Sequence, residues 1–241
     1  SSAASDVYKR QSQYSFTMKV YNLNGRELFT EDFNFNYEQI VMDDELILMY
    51  NKNQMCVYSL AGVKKFEGDI KEGVLNNVLT LNMNRYMIGS DSGLFFFSRK
   101  NGVWSVSGDD LADESIYRCF RDREGGIWIG TYFCGVNYRS PRQSEILWYY
   151  DDGHPESLDG NAVSQFCDDG RGGLWIATEN GGLNHFDIRN RKFTNHTVRS
   201  HNNLHALCMD GDDLLIGTFS QGLDLMNLRT GKVINYRNIP G

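Results

Sequence analysis

Two glycine pairs frame the stretch "GGLWIATENGGLNHFD" at residues 172–187, and glycine pairs are one way a chain cradles phosphate. A phosphate loop frees backbone N–H groups at the start of a helix and adds Lys or Ser/Thr for the phosphate or its metal. Here both pairs flank runs of strand composition instead. The stretch also recurs: "GGIWIGTYFCGVNYRS" at 125–140 fits it at an offset of 47, and "DLLIGTFSQGLDLMN" at 213–227 at an offset of 40. The glycines therefore read as parts of a repeated structural unit.

Other reactive residue types lead to the same place. The five histidines, His154, His185, His196, His201 and His205, form no HExxH or other recognised metal spacing, and each reads as a satisfied or solvated imidazole. Five cysteines without a CxxC suggest neither a zinc site nor a disulfide framework, and Cys167 and Cys208 fill one repeat slot as small apolar strand residues. No GxSxG is present. Asp122 in "DREGG" and Asp169 in "DGRGG" sit where a side chain can bind turn N–H groups, which is turn chemistry and not an acid/base pair. No catalytic residue, metal or cofactor is expected in this segment.

Residues 1–11, "SSAASDVYKRQ", match codon for codon the translation of a common transposase sequencing adapter. They read as a non-native scar with no part in the fold, so that the natural sequence starts near Ser12 as an open-ended piece. The whole chain carries a net charge of −7, and removing Lys9, Arg10 and Asp6 leaves 22 basic against 30 acidic residues, or −8. An acidic surface disfavours nucleic acid and anionic membranes as partners. No run of about 18 apolar residues offers a membrane span. With 14 Phe and 13 Tyr, the chain can bury a large core.

The elements that position these residues follow from the repeat. Leu48, Ile88, Ile129, Ile176 and Ile216 align at steps of 40, 41, 47 and 40. A second anchor follows at Met55, Leu94, Val136, Leu183 and Leu223, and a short polar residue at Ser59, Ser98, Ser140, Asp187 and Asn227. Met18 and Asn22 supply those two slots in a sixth, half copy. A period of 40 to 47 with four short apolar runs and Gly/Asn/Asp turns predicts a β-propeller blade. The fold expected is all-β, a propeller fragment of about five and a half four-stranded blades out of seven. The half blade spans 12–36, and the blades 37–67, 75–106, 115–150, 162–197 and 204–238. In the fifth copy the strands are Val163–Cys167, Leu174–Thr178, Leu183–Asp187 and Lys192–His196. Trp128 and Trp175 lie in a strand that is apolar on both faces, which suits packing between blades. Gly135, Gly182 and Gly222 precede the third strand. An incomplete array leaves apolar blade faces open and favours self-association.

At 149–183 the chain reads "YYDDGHPESLDGNAVSQFCDDGRGGLWIATENGGL", and this resembles the two-component regulator propeller repeat, well over 115–230 and weakly over 37–104. The resemblance implies the sensor region of a hybrid two-component histidine kinase of the glycan-sensing type, periplasmic and carried by an inner-membrane protein. It further implies seven blades, downstream sensor-kinase domains, a homodimer in the full-length protein and an oligosaccharide ligand. The kinase activity would belong to the parent protein. A protein-interaction or dimerisation propeller, or the sensor module of a diguanylate cyclase, is the alternative.

Propeller topology gathers the second-to-third-strand loops and the inter-blade loops on one face. Tyr132, Phe133, Glu179, Asn180, Phe219 and Gln221 lie in the former, and His154, Glu156 and Asn161 in the latter. Aromatic rings stack on the C–H side of a sugar while Asn, Gln and Glu hold its hydroxyls. These residues are the expected ligand-binding set.

Overall fold

The structure is a computed structural model that describes residues 4–8, 16–43, 45–100, 103–112, 114–141, 146–196 and 202–237. All of its regular structure among these residues is strand, in one three-stranded and five four-stranded antiparallel sheets. The chain divides into two compact units.

The first unit holds three sheets. Strands β1 (Ala4–Tyr8), β2 (Phe16–Tyr21) and β3 (Glu27–Phe33) form the three-stranded one. Strands β4 (Gln39–Met42), β5 (Leu46–Tyr50), β6 (Gln54–Ser59) and β7 (Lys64–Asp69) form the next, and β8 (Leu75–Asn82), β9 (Arg85–Ser90), β10 (Gly93–Lys100) and β11 (Val103–Ala112) most of the third. Strand β5 explains why an inner strand is apolar throughout. Ile47 and Met49 pack with Met18, Val20 and Phe33 on one side, while Leu46, Leu48 and Tyr50 pack with Val78, Tyr86 and Ile88 on the other. A strand sandwiched between two sheets has no face for water, so alternation disappears.

Residues 4–8 were expected to stand outside the fold. Instead β1 runs antiparallel to β2, from Ala4 opposite Tyr21 to Tyr8 opposite Thr17. The reason lies in β2: a half blade exposes a row of unpaired N–H and C=O groups along its inner edge, and backbone pairing satisfies them whatever side chains the added strand carries.

The second unit contains three consecutive sheets: β12 (Ile116–Arg121), β13 (Ile127–Thr131), β14 (Val136–Arg139) and β15 (Ile146–Tyr149); β16 (Val163–Asp168), β17 (Gly173–Thr178), β18 (Gly182–Asp187) and β19 (Lys192–His196); and β20 (Leu204–Asp210), β21 (Asp213–Thr218), β22 (Leu223–Asn227) and β23 (Val233–Tyr236). Each is a simple meander in strand order, the form of a propeller blade. Trp128, buried to 1% exposure, packs with Leu174, Phe186 and Phe193 of the following sheet, and Trp175 with Leu204, Leu207, Leu214 and Ile216 of the one after. The last sheet keeps Leu223, Ile234 and Tyr236 exposed.

Candidate ligand-binding face

In each sheet of the second unit, the threonine that ends the second strand organises the loop after it. Thr131 Oγ1 donates to the Gly135 carbonyl at 3.0 Å and accepts from the Cys134 N–H at 2.8 Å. Thr178 makes the same two bonds with Gly182 and Gly181 at 3.2 and 3.0 Å, and Thr218 with Gly222 and Gln221 at 2.9 and 2.9 Å. Gly135 and Gly222 have φ of 72° and 83°, and a Cβ on either would run into the backbone carbonyl of Tyr149 or Tyr236 on the fourth strand. The residue after the threonine is then tied to the entry of the first strand. Tyr132 N–H donates to Ser115 O at 3.0 Å, Glu179 N–H to Ala162 O at 2.9 Å and Phe219 N–H to Asn203 O at 3.1 Å. Tyr132, Glu179 and Phe219 are therefore one position repeated three times.

A second repeated position comes from the first strand. The pairing register slips between Ile116 and Arg118, between Val163 and Gln165, and between Leu204 and Ala206. The extra residue of each bulge is Tyr117, Ser164 or His205, and a bulge re-aims its side chain out of the regular alternation. Ser164 turns to the neighbouring sheet, its Oγ donating to Leu204 O at 2.6 Å. Tyr117 and His205 meet the loop residues. The Tyr117 and Tyr132 rings lie 4.9 Å apart, Tyr132 and Phe133 4.1 Å, and His205 and Phe219 5.5 Å. His205 Nε2 is 3.9 Å from Glu179 Oε1. Burial raises the Tyr117 phenol above its ordinary value, and the nearby Glu179 charge raises it further.

Tyr132, Phe133, Glu179 and Phe219 thus join, through Tyr117 and His205, into one crescent across three sheets. Phe133 and Phe219 are 71% and 72% exposed, whereas the Glu179 side chain is only 18% exposed. That carboxylate accepts no hydrogen bond from any described residue, the His205 contact being beyond bonding distance.

The other expected site residues are placed differently. Asn161 Oδ1 accepts from Asp151 N–H at 2.8 Å and Asn180 Oδ1 from Ala162 N–H at 3.4 Å, so both amides brace loop backbone. Gln221 Nε2 donates to Ser220 Oγ at 3.3 Å, and its Oε1 is buried without a partner. His154 lies apart from the crescent, in a cleft of about 220 Å³ with Trp148, Tyr150 and Glu156. Tyr117 and His205 were not anticipated from sequence. The aligned slots after Ile116, Val163 and Leu204 carry Tyr, Ser and His, and that variability inside an apolar strand is the signal that could have found them.

Residues 110–133 and 157–180 match the model of the two component regulator propeller. Two segments of this chain are therefore similar to two-component regulator propeller repeats. The matched segments end at Phe133 and at Asn180, the residue after Glu179. Residues 4–95 match a family of unknown function, DUF5711. No curated protein matches the chain. Among solved structures, the computationally designed Ika8 protein is similar at 13% identity and a TM-score of 0.63, over 95% of this chain and 74% of that one, a likeness of fold alone.

Proposed function

We propose that this chain is the ligand-sensing propeller portion of a periplasmic two-component sensor, that its ligand is an oligosaccharide, and that the crescent is where it binds. The observation that carries this reading is the half-buried Glu179 side chain, whose carboxylate accepts no hydrogen bond from any described residue and sits near Tyr117 and His205, each of which packs on a loop aromatic ring. A ligand that covers this carboxylate displaces its water and must supply a donor in its place. A sugar hydroxyl supplies one while the ring C–H faces stack on Tyr132, Phe133 and Phe219. Binding needs no reacting group here, since a sensor works by favouring one arrangement of its parent over another. The exposed Leu223, Ile234 and Tyr236 on the last sheet favour a second reading, a surface for protein interaction.

Titration calorimetry of the 241-residue chain with a panel of neutral oligosaccharides tests the first reading. Glu179→Gln is expected to weaken the best ligand by about tenfold, because bonds to a charged acceptor are the strong ones. Phe219→Ala should weaken it several-fold. Saccharide binding untouched by both substitutions would move the site elsewhere, and absence of saccharide binding would leave the interaction reading in its place.

A further inference from the structure

Among the described residues, Arg191 is the one non-glycine residue in the left-handed region, at φ 56°. Its N–H donates to Asp187 O at 2.8 Å and closes the turn between β18 and β19. The matching turn of the next sheet makes the same bond, from Gly231 to Asn227 O at 2.8 Å, with Gly231 at φ 68°. Gly25 and Gly62, at φ 74° and 79°, hold left-handed positions in the turns between β2 and β3 and between β6 and β7. The repeat favours glycine here, and an L side chain is strained in this conformation. Strain of this kind collects where a side chain has a function.

The Arg191 side chain lines a cleft of about 570 Å³, walled by Trp128, Tyr138, Leu147, Tyr149 and Phe186 and shared with Glu124. Trp128 and Phe186, each 1% exposed, form the closed floor, with rings 5.3 Å apart and Tyr149 4.9 Å from Phe186, so the rings open to the cleft are the half-buried Tyr138 and Tyr149. Burial raises the phenols of Tyr138 and Tyr149 above their ordinary value, Asp122 and Glu124 raise Tyr138 further, and the Arg191 charge offsets part of the rise in both. Neither the guanidinium nor the Glu124 carboxylate has a hydrogen bond or ion pair from its side chain to any described residue. A strained arginine, an uncommitted carboxylate and two half-buried tyrosines therefore share one cavity of small-molecule size.

We propose that this cleft binds an α-amino acid or short peptide with an apolar side chain. Arg191 takes the carboxylate through its planar fork, Glu124 takes the ammonium group, and Tyr138, Leu147 and Tyr149 take the side chain. The site is separate from the crescent, and neither depends on the other.

The test is calorimetry of the full chain with L-phenylalanine, the dipeptide phenylalanyl-leucine, N-acetyl-phenylalanine and phenylalaninamide. The free amino acid or the dipeptide should bind, the tighter of the two identifying the source, and each end-blocked compound should bind about tenfold more weakly, the loss of one charge-assisted bond. Arg191→Gly should weaken binding by at least about tenfold while leaving the melting temperature unchanged or raised, because glycine relieves the strained turn. Glu124→Gln should weaken the free amino acid and leave N-acetyl-phenylalanine unaffected. No binding of any compound at millimolar concentration overturns the proposal. So does Arg191→Gly with intact affinity, or with a melting temperature several degrees lower, since the arginine would then serve the fold.

Discussion

The β12–β15 and β16–β19 sheets fill the same slots with different polar partners. Asp122 accepts from the N–H groups of Gly126 and Glu124 at 2.7 and 3.0 Å with one oxygen, and from Trp128 Nε1 at 2.8 Å with the other. Asp169 likewise accepts from Gly173 and Arg171 at 2.8 and 2.6 Å, but its second oxygen meets His185 Nε2 at 2.9 Å. His185 occupies the slot of Tyr138, opposite the tryptophan on the neighbouring strand. Trp175 is left packed against a tilted His185 ring and edge-to-face with His196, with its Nε1 buried and unpartnered. The apolar part of a repeat therefore tolerates a rewired polar part: ring volume is kept between sheets, while one donor loses its acceptor to a neighbour.

The strongest way to break this comparison is to remove the two aspartates. Asp122→Ala leaves two turn N–H groups and a buried indole N–H without an acceptor and should cost about 3 kcal/mol or more in urea unfolding. Asp169→Ala removes no indole bond and should cost nearer 2 kcal/mol, each buried orphan being worth about 1–3. Equal losses would mean that the Trp128 bond contributes no more than the His185 bond lost with Asp169. Next in size is the indole itself. Trp128→Phe should destabilise more than Trp175→Phe by roughly 1–2 kcal/mol, because only the former strands a carboxylate oxygen. A larger loss at Trp175 would show that its Nε1 has an acceptor after all.

The smallest effect is in pH, and it belongs to the β16–β19 sheet. Burial, and secondarily His185, hold His196 below its ordinary value. The folded state thus resists protonating it, so stability is full above about 6.5 and is lost as pH falls from there through the lower folded value. Burial pushes Asp169 up, but the Arg171 and Gly173 N–H groups and His185 outweigh it and bring the carboxyl below its usual range. Its contribution is full above about 3.9 and is lost as pH falls through the depressed value. Urea midpoints measured against pH should show a shallow limb that His196→Gln abolishes and a more acidic one that Asp169→Asn abolishes. A limb near 6.5 that survives His196→Gln would refute the assignment.

Sheet order, the apolar inner strands and the turn aspartates were legible because each leaves a mark at fixed spacing. The four strands expected in the fifth copy are found as β16–β19, with ends shifted by one residue at most. The crescent was only half legible. Loop residues stand out as interruptions between glycine and threonine, but Tyr117 and His205 leave the strand pattern through a bulge, which is a property of two paired strands and not of one. All three first strands carry the same bulge, so it leaves no change in the spacing of the repeat. The strand β1 was illegible for a different reason. Its place depends on the bare edge of β2, which composition does not record. Arg191 was missed because left-handed backbone is inferred from glycine, and here the glycine is absent.

The threonine that bolts each loop carries a consequence for how such a surface changes over generations. Thr131, Thr178 and Thr218 hold their loops through the hydroxyl and the glycine carbonyl, and the next residue contributes only its backbone N–H to the architecture. Tyr, Glu and Phe follow them in turn without altering that scheme. Selection can therefore rewrite these side chains one blade at a time, trying new chemistries against a chassis whose folding does not register the exchange.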